Sequence, residues 1–157
     1  MQINTTGLDD LQAKLINIQE KIENTQPLMG ELSNHLENIV LNSFEKQMSP
    51  DGKPWSPIKP RKTDSHPEKI LYATGNMQGS LYSKATKDTA IVGLNAVSNS
   101  FQYPLTHQFG TDKAGRNKKV TIVARPFMPV DTDGKVYAAV EEKLLEIVEE
   151  FIEEVLK

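Results

Sequence analysis

Three side chains in this sequence can change charge near neutral pH: His35, His66 and His107. His107 lies in Tyr103-Pro104-Leu105-Thr106-His107-Gln108-Phe109-Gly110-Thr111, and a second segment, Ala124-Arg125-Pro126-Phe127-Met128, sets a cation ahead of a rigid apolar turn. Both mix large apolar groups with a few polar ones in a way that periodicity does not explain. A hydrolase built on His107 would need a nucleophile and an acid beside it. Ser80 and Asp88 are imaginable partners, but no Gly-x-Ser-x-Gly elbow supports them. Neither His35 nor His66 has a second ligand at the helical spacing of a metal site, and there is no His-Glu-x-x-His. The absence of cysteine excludes disulfides, thiol catalysis and thiolate metal sites. No Gly-x-x-x-x-Gly-Lys loop or Gly-x-Gly-x-x-Gly turn offers a phosphate cradle. Neither catalysis nor a cofactor or metal is expected. The ring of His107 is expected to stack beside Phe109, with one nitrogen bonded to backbone or water.

The elements that must hold these segments are legible in outline. A chain of 157 residues fits one domain and can bury roughly 70% of its unfolded surface. Leu8, Leu11, Leu15, Ile18 and Ile22 alternate spacings of three and four, predicting a helix. Thr6 is placed to cap it, with Asp9 and Asp10 opposing its dipole. The spacing resumes at Met29, Leu32, Leu36 and Ile39 and ends near Phe44. Thr25 and Pro27 read as a cap and a first-turn proline, giving two helices or one kinked helix. The stripe is expected to face the core, with a self-associating coiled coil as the alternative.

Residues 48–69 form a Pro-rich basic arm: Pro50, Pro54, Pro57, Pro60 and Pro67 exclude a regular helix, and Lys53, Lys59, Arg61, Lys62 and Lys69 add charge. Pro50-Asp51-Gly52 predicts a turn, and Trp55 a buried anchor. Residues 70–130 read as an α+β core. It has a short helix or turn after Thr74-Gly75, strands over 81–85 and 89–94, and a helix within 101–109 stopped by Gly110. An exposed basic loop over 112–119 and a strand over 120–123 complete it. Asp131 or Asp133 is expected to start an acidic helix reaching almost to Lys157, with Tyr137, Val140, Leu144, Ile147, Phe151 and Val155 as its apolar stripe. The predicted fold is therefore α+β: a small, mostly antiparallel sheet packed with N-terminal helices and a long C-terminal helix, with extended loop arms.

The 18 basic and 21 acidic side chains give a net charge of -3, which disfavours nucleic acid as the main partner. Basic charge gathers in two loops and acidic charge in the last helix, offering two complementary patches for head-to-tail association of identical subunits. The alternative is a solvated helix face and two mobile loops. No apolar run approaches the ~20 residues that cross a bilayer, and the N-terminus lacks signal-peptide features. A soluble protein, intracellular when made, is expected.

Taken in order, the landmarks resemble a known family. They are Pro50-Asp51-Gly52-Lys53-Pro54-Trp55, then Ile70-Leu71 with Thr74-Gly75-x-Met77-x-x-Ser80-Leu81, then Ile91-Val92-Gly93. Tyr103 with His107-Gln108-Phe109-Gly110 and Ala124-Arg125-Pro126-Phe127-Met128 complete the series. The chain resembles the virion morphogenesis (tail completion) proteins of Mu-like phages and prophages over about residues 44–130. It departs from that pattern at Pro104, where the family favours Ala, and at Val123, where it favours Pro. The resemblance implies a non-enzymatic structural protein that completes the tail tube or joins it to the head as a ring. Its partners would be further copies of itself, the tail tube, and neck or head-completion proteins. It would assemble in the host cytoplasm and end in the tail or neck of the virion.

On that reading the candidate residues are architectural. Trp55 anchors the arm on its own domain or a neighbour, and Gly75 and Gly110 permit tight turns. Arg125 pairs with a carboxylate or crosses a subunit boundary to the glutamate-rich helix. Pro126 and Phe127 pack the strand end onto the core, and Tyr103, His107 and Phe109 complete the set. The alternative is a packaging or regulatory factor that uses the basic stretches 53–69 and 113–125 on nucleic acid.

Overall fold

The 3-4-3-4 spacing from Leu8 to Phe44 becomes two helices, α1 (Thr6–Glu23) and α2 (Gln26–Lys46), in a computed structural model that describes residues 6–58, 69–98 and 101–157. Thr25 takes the N-cap position of α2, and Pro27 falls in its first turn. The Thr25 hydroxyl does not cap the helix. It donates instead to the Lys87 carbonyl in a distant turn. The cap expected of Thr6 lies outside the described side chains.

After α2 come a short helix α3 (Asn76–Gly79), strands β1 (Leu81–Ala85) and β2 (Ala90–Leu94), helix α4 (Tyr103–Phe109), strands β3 (Thr111–Ala114) and β4 (Val120–Ile122), and helix α5 (Ala138–Leu156). The architecture is α+β. The strands form two separate antiparallel ribbons, β1–β2 and β3–β4. In the first, Leu81 faces Leu94 and Ala85 faces Ala90, and the strands lie close to the spans read from the sequence. Its turn closes by a bond from the Thr86 amide to the Thr89 carbonyl (2.8 Å), with both threonine hydroxyls donating to Asp88.

Helix α2 lies between the β1–β2 ribbon and α5, so it buries a wide face. Leu28, Val40 and Phe44 are buried on it, as are two small polar residues, Ser33 and Ser43. Ser43 returns its hydroxyl to the Ile39 carbonyl one turn back (3.1 Å), which is how a serine is accommodated in a packed helix. Val40 and Phe44 join Trp55, Met77, Ala96 and Phe127 in one apolar cluster. The expected stripe of α5 is present: Val140, Ile147 and Val155 are buried, with Leu144 and Phe151 half-buried between them.

Three expectations need correction. The α1 stripe does not face a core: Leu8, Leu11, Leu15 and Ile22 are 61%, 52%, 58% and 55% exposed. The helix instead turns polar residues, Asn17, Glu20, Lys21 and Asn24, towards a cleft shared with Phe151, Glu154 and Val155 of α5. The basic stretch 112–119 is not all loop, because β3 occupies its first part and pairs with β4 across the turn. Helix α5 starts at Ala138, not at Asp131 or Asp133. There Asp131 accepts from the amides of Asp133 and Lys135 (both 2.9 Å), and Gly134 takes a positive φ of 77°. An aspartate that binds the amides ahead of it favours a turn over a helix. Of the basic arm, Lys59, Pro60, Arg61, Lys62, His66 and Pro67 lie outside the described residues.

Candidate functional site

The two segments singled out in the sequence meet in space. Helix α4 is short and starts with Pro104 in its first turn, where a missing N–H is harmless. Gly110 ends it with φ 71° and ψ 173°, a region open essentially to glycine alone. A Cβ at this position would lie 2.8 Å from the Ala124 nitrogen and 2.9 Å from the Ile122 oxygen. Backbone cannot yield as a side-chain tip would, so the two chains approach this closely because residue 110 is glycine. Just beyond, the Arg125 amide donates to the His107 carbonyl (2.7 Å).

Gln108 fixes the geometry from there. It is buried, its Oε1 accepts from the amides of Phe127 and Met128 (both 2.9 Å), and its Nε2 donates to the carbonyls of Met128 (3.2 Å) and Val130 (3.1 Å). All four capacities of the amide are thus met by backbone. Only this orientation of the amide works, since a flip would face N–H with N–H. Phe127 and Met128 lie in no strand, and the glutamine side chain serves as the backbone partner a ladder would give them.

Arg125 is buried as well. Its Nε donates to the Ser56 carbonyl (3.0 Å), Nη1 to Val123 (3.4 Å) and Nη2 to Pro57 (3.4 Å). Among the described residues its partners are carbonyls, not the carboxylate expected. These bonds hold the guanidinium against residues 56–57 of its own arm. Burial lowers its pKa from the usual arginine value, yet a guanidinium stays charged in proteins. Its effect is to tie the start of the arm to the 123–125 strand end.

Trp55 ties the same arm to the core of its own molecule. Its indole N–H donates to the Pro126 carbonyl (2.7 Å), and its ring meets Phe44 edge-on at 5.8 Å. Phe127, 1% exposed, stacks on Phe44 at 5.2 Å. The predicted turn at 50–52 forms, closed by the Gly52 amide on the Ser49 carbonyl (2.8 Å). Within it Lys53 sits 2.6 Å from Asp51; together with the Ser49 hydroxyl it holds that carboxyl below the usual range. Gly75 caps α3 with φ 76°, and a Cβ there would lie 3.3 Å from the Tyr72 ring.

His107 differs from expectation. Its ring meets Tyr103 edge-on at 6.3 Å and 85°, whereas Phe109 is turned outward and 41% exposed. The Nδ1 atom is buried without a partner among the described residues. Burial, and then the nearby Arg125 charge, lower its pKa and so favour the neutral ring. Neither Ser80 nor Asp88 is engaged with it: the Ser80 hydroxyl donates to Met77, and Asp88 serves the β1–β2 turn. Among the described residues no cluster of His, Asp and Glu could hold a metal ion. The sequence drew the eye to His107, but the residue that organises the site is its neighbour. The available signal was an amide set in an apolar motif opposite a segment too irregular for a strand.

Beside Gln108 an apolar cleft opens between α4 and residues 127–130, lined by Leu94, Pro104, Leu105, Phe109, Met128 and Val130. It can take an apolar side chain, and the glutamine amide at its floor is already engaged.

The Mu-like prophage FluMu G protein 2 of Haemophilus influenzae is 31% identical over 129 residues, covering 82% of this chain and 83% of that protein. No solved structure gives a significant match. Residues 5–153 match the phage virion morphogenesis family, nearly the whole chain. The chain belongs to the phage virion morphogenesis family.

Proposed function

We propose that this protein acts as a non-catalytic building block that completes the phage tail or joins it to the head, assembling there as a ring of identical subunits. A role in phage virion assembly follows from family membership; the non-catalytic part of the reading is supported chiefly by Gln108. In an enzyme, the polar groups of a signature motif stay available to a substrate. Here Gln108 has every donor and acceptor committed to backbone, and Arg125 serves three carbonyls. The motif therefore supports shape rather than turnover. The molecule would act in the host cytoplasm and then in the tail or neck, touching tube and neck or head-completion proteins.

Electron microscopy of particles made without this protein tests the role. Tails of uncontrolled length, or heads and tails left unjoined, are expected. Normal infectious particles would remove the proposal. A second reading has one observation in its favour, the exposed cations of the β3–β4 ribbon. If they serve DNA, affinity for duplex falls steeply as salt rises; no binding at low salt removes that alternative.

A further inference from the structure

We propose that the protein binds a second copy of itself by laying the β3–β4 ribbon of one subunit along the outer face of α5 in the next; the proposal rests on the assembly role above and names its contact. Two faces of one molecule carry the argument. Helix α5 buries one side, yet Leu145, Ile152 and Leu156 point outward, 56%, 49% and 62% exposed. At 100° per residue these three fall within one narrow arc, bordered by Glu142, Glu149 and Glu153. The helix holds seven glutamates and one lysine. Within the described residues only Glu146 has an ion pair, with Lys143. An apolar strip edged by unpaired carboxylates is an unusual face to leave to water.

The β3–β4 ribbon offers the complement. Lys113, Arg116, Lys118 and Lys119 all lie exposed on it, and none has a carboxylate partner among the described residues. Val120 and Val123 are 54% and 49% exposed beside them. The two strands pack chiefly against each other, with the end of α4 close beside β4 at Gly110. The ribbon cannot reach equal charges on its own kind without repulsion, and neither can α5. Opposite faces on one chain give a head-to-tail contact that repeats from subunit to subunit. Charge would steer the approach, and the leucines and valines would hold it once water is displaced.

The test uses the full chain. Sedimentation of wild type at low salt and high concentration should show assemblies that dissociate as salt rises. The double variants K118E/K119E and E149K/E153K change exposed side chains only, and circular dichroism checks that both fold. Each alone should associate about tenfold more weakly or worse, and a 1:1 mixture should recover assembly, because the reversed ribbon now fits the reversed helix. Since the chain has no native cysteine, Lys118→Cys and Glu153→Cys forms mixed under oxidation should cross-link to each other rather than to themselves. A wild type monomeric under these conditions, variants that assemble like wild type, or a mixture that stays apart would overturn the contact. The outcomes separate from those of the assembly role. If the variants support normal particles while deletion does not, this contact fails and the role stands.

Discussion

At residue 108 an amide and a carboxylate have almost the same shape and opposite consequences. Gln108→Glu would turn the two donors now facing Met128 and Val130 into an oxygen against oxygens. The buried charge should cost about 3 kcal/mol or more. Gln108→Leu leaves the Phe127 and Met128 amides without acceptors and should cost about 2–4 kcal/mol. Urea unfolding reads both losses, and a change under 1 kcal/mol for either would mean the clamp is not what holds the segment. His107 makes a prediction with a sign. Its folded pKa lies below the ordinary histidine value, so between that lowered pKa and about 6.5 the unfolded chain binds more protons. Stability from this group is present above about pH 6.5 and is lost as pH falls through that window. The fall in melting temperature from pH 7.5 to 5.5 should be smaller in His107→Phe than in the parent. Equal falls would show that the ring is free to take a proton in place.

Among the elements, α1 is the one its neighbours least require. From Leu8 to Glu23 only Ile18 is even half-buried, and an isolated helix of this length is marginal in water. Removing residues 1–24 should therefore lower the melting temperature by only about 2–4 °C, the equivalent of 1 kcal/mol in a domain of this size. A much larger loss in differential scanning calorimetry would mean α1 belongs to the core. Elements set by local pattern were readable in the sequence: α2, the β1–β2 ribbon, the stop at Gly110 and the buried stripe of α5. Periodicity finds an apolar face but not what covers it, and so α1 was assigned to a core that it does not touch. The start of α5 was misread because Asp131 and Gly134 compete locally for the turn that precedes it. Gln108 and Arg125 took partners 19 to 22 and 68 to 69 residues away. No local spacing carries that information.

Across the whole molecule, charge is arranged rather than averaged. A net charge of -3 conceals a helix of dense carboxylates and a ribbon of cations standing away from the packed centre. The centre itself is small, with Val40 and Phe127 as its largest fully buried side chains, and the arm, α2 and the 125–130 turn all converge on it. One indole stands at that convergence, and the chain has no other. Trp55 therefore makes the molecule optically self-reporting. Its emission should be shifted to the blue while the Pro126 carbonyl and Phe44 enclose it, and should move to the red only when that enclosure opens. Peeling of α1, or engagement of the ribbon, would be dark to it. Ellipticity lost before the colour changes would thus separate the fraying of a helix from the melting of the core, without a label or a single substitution.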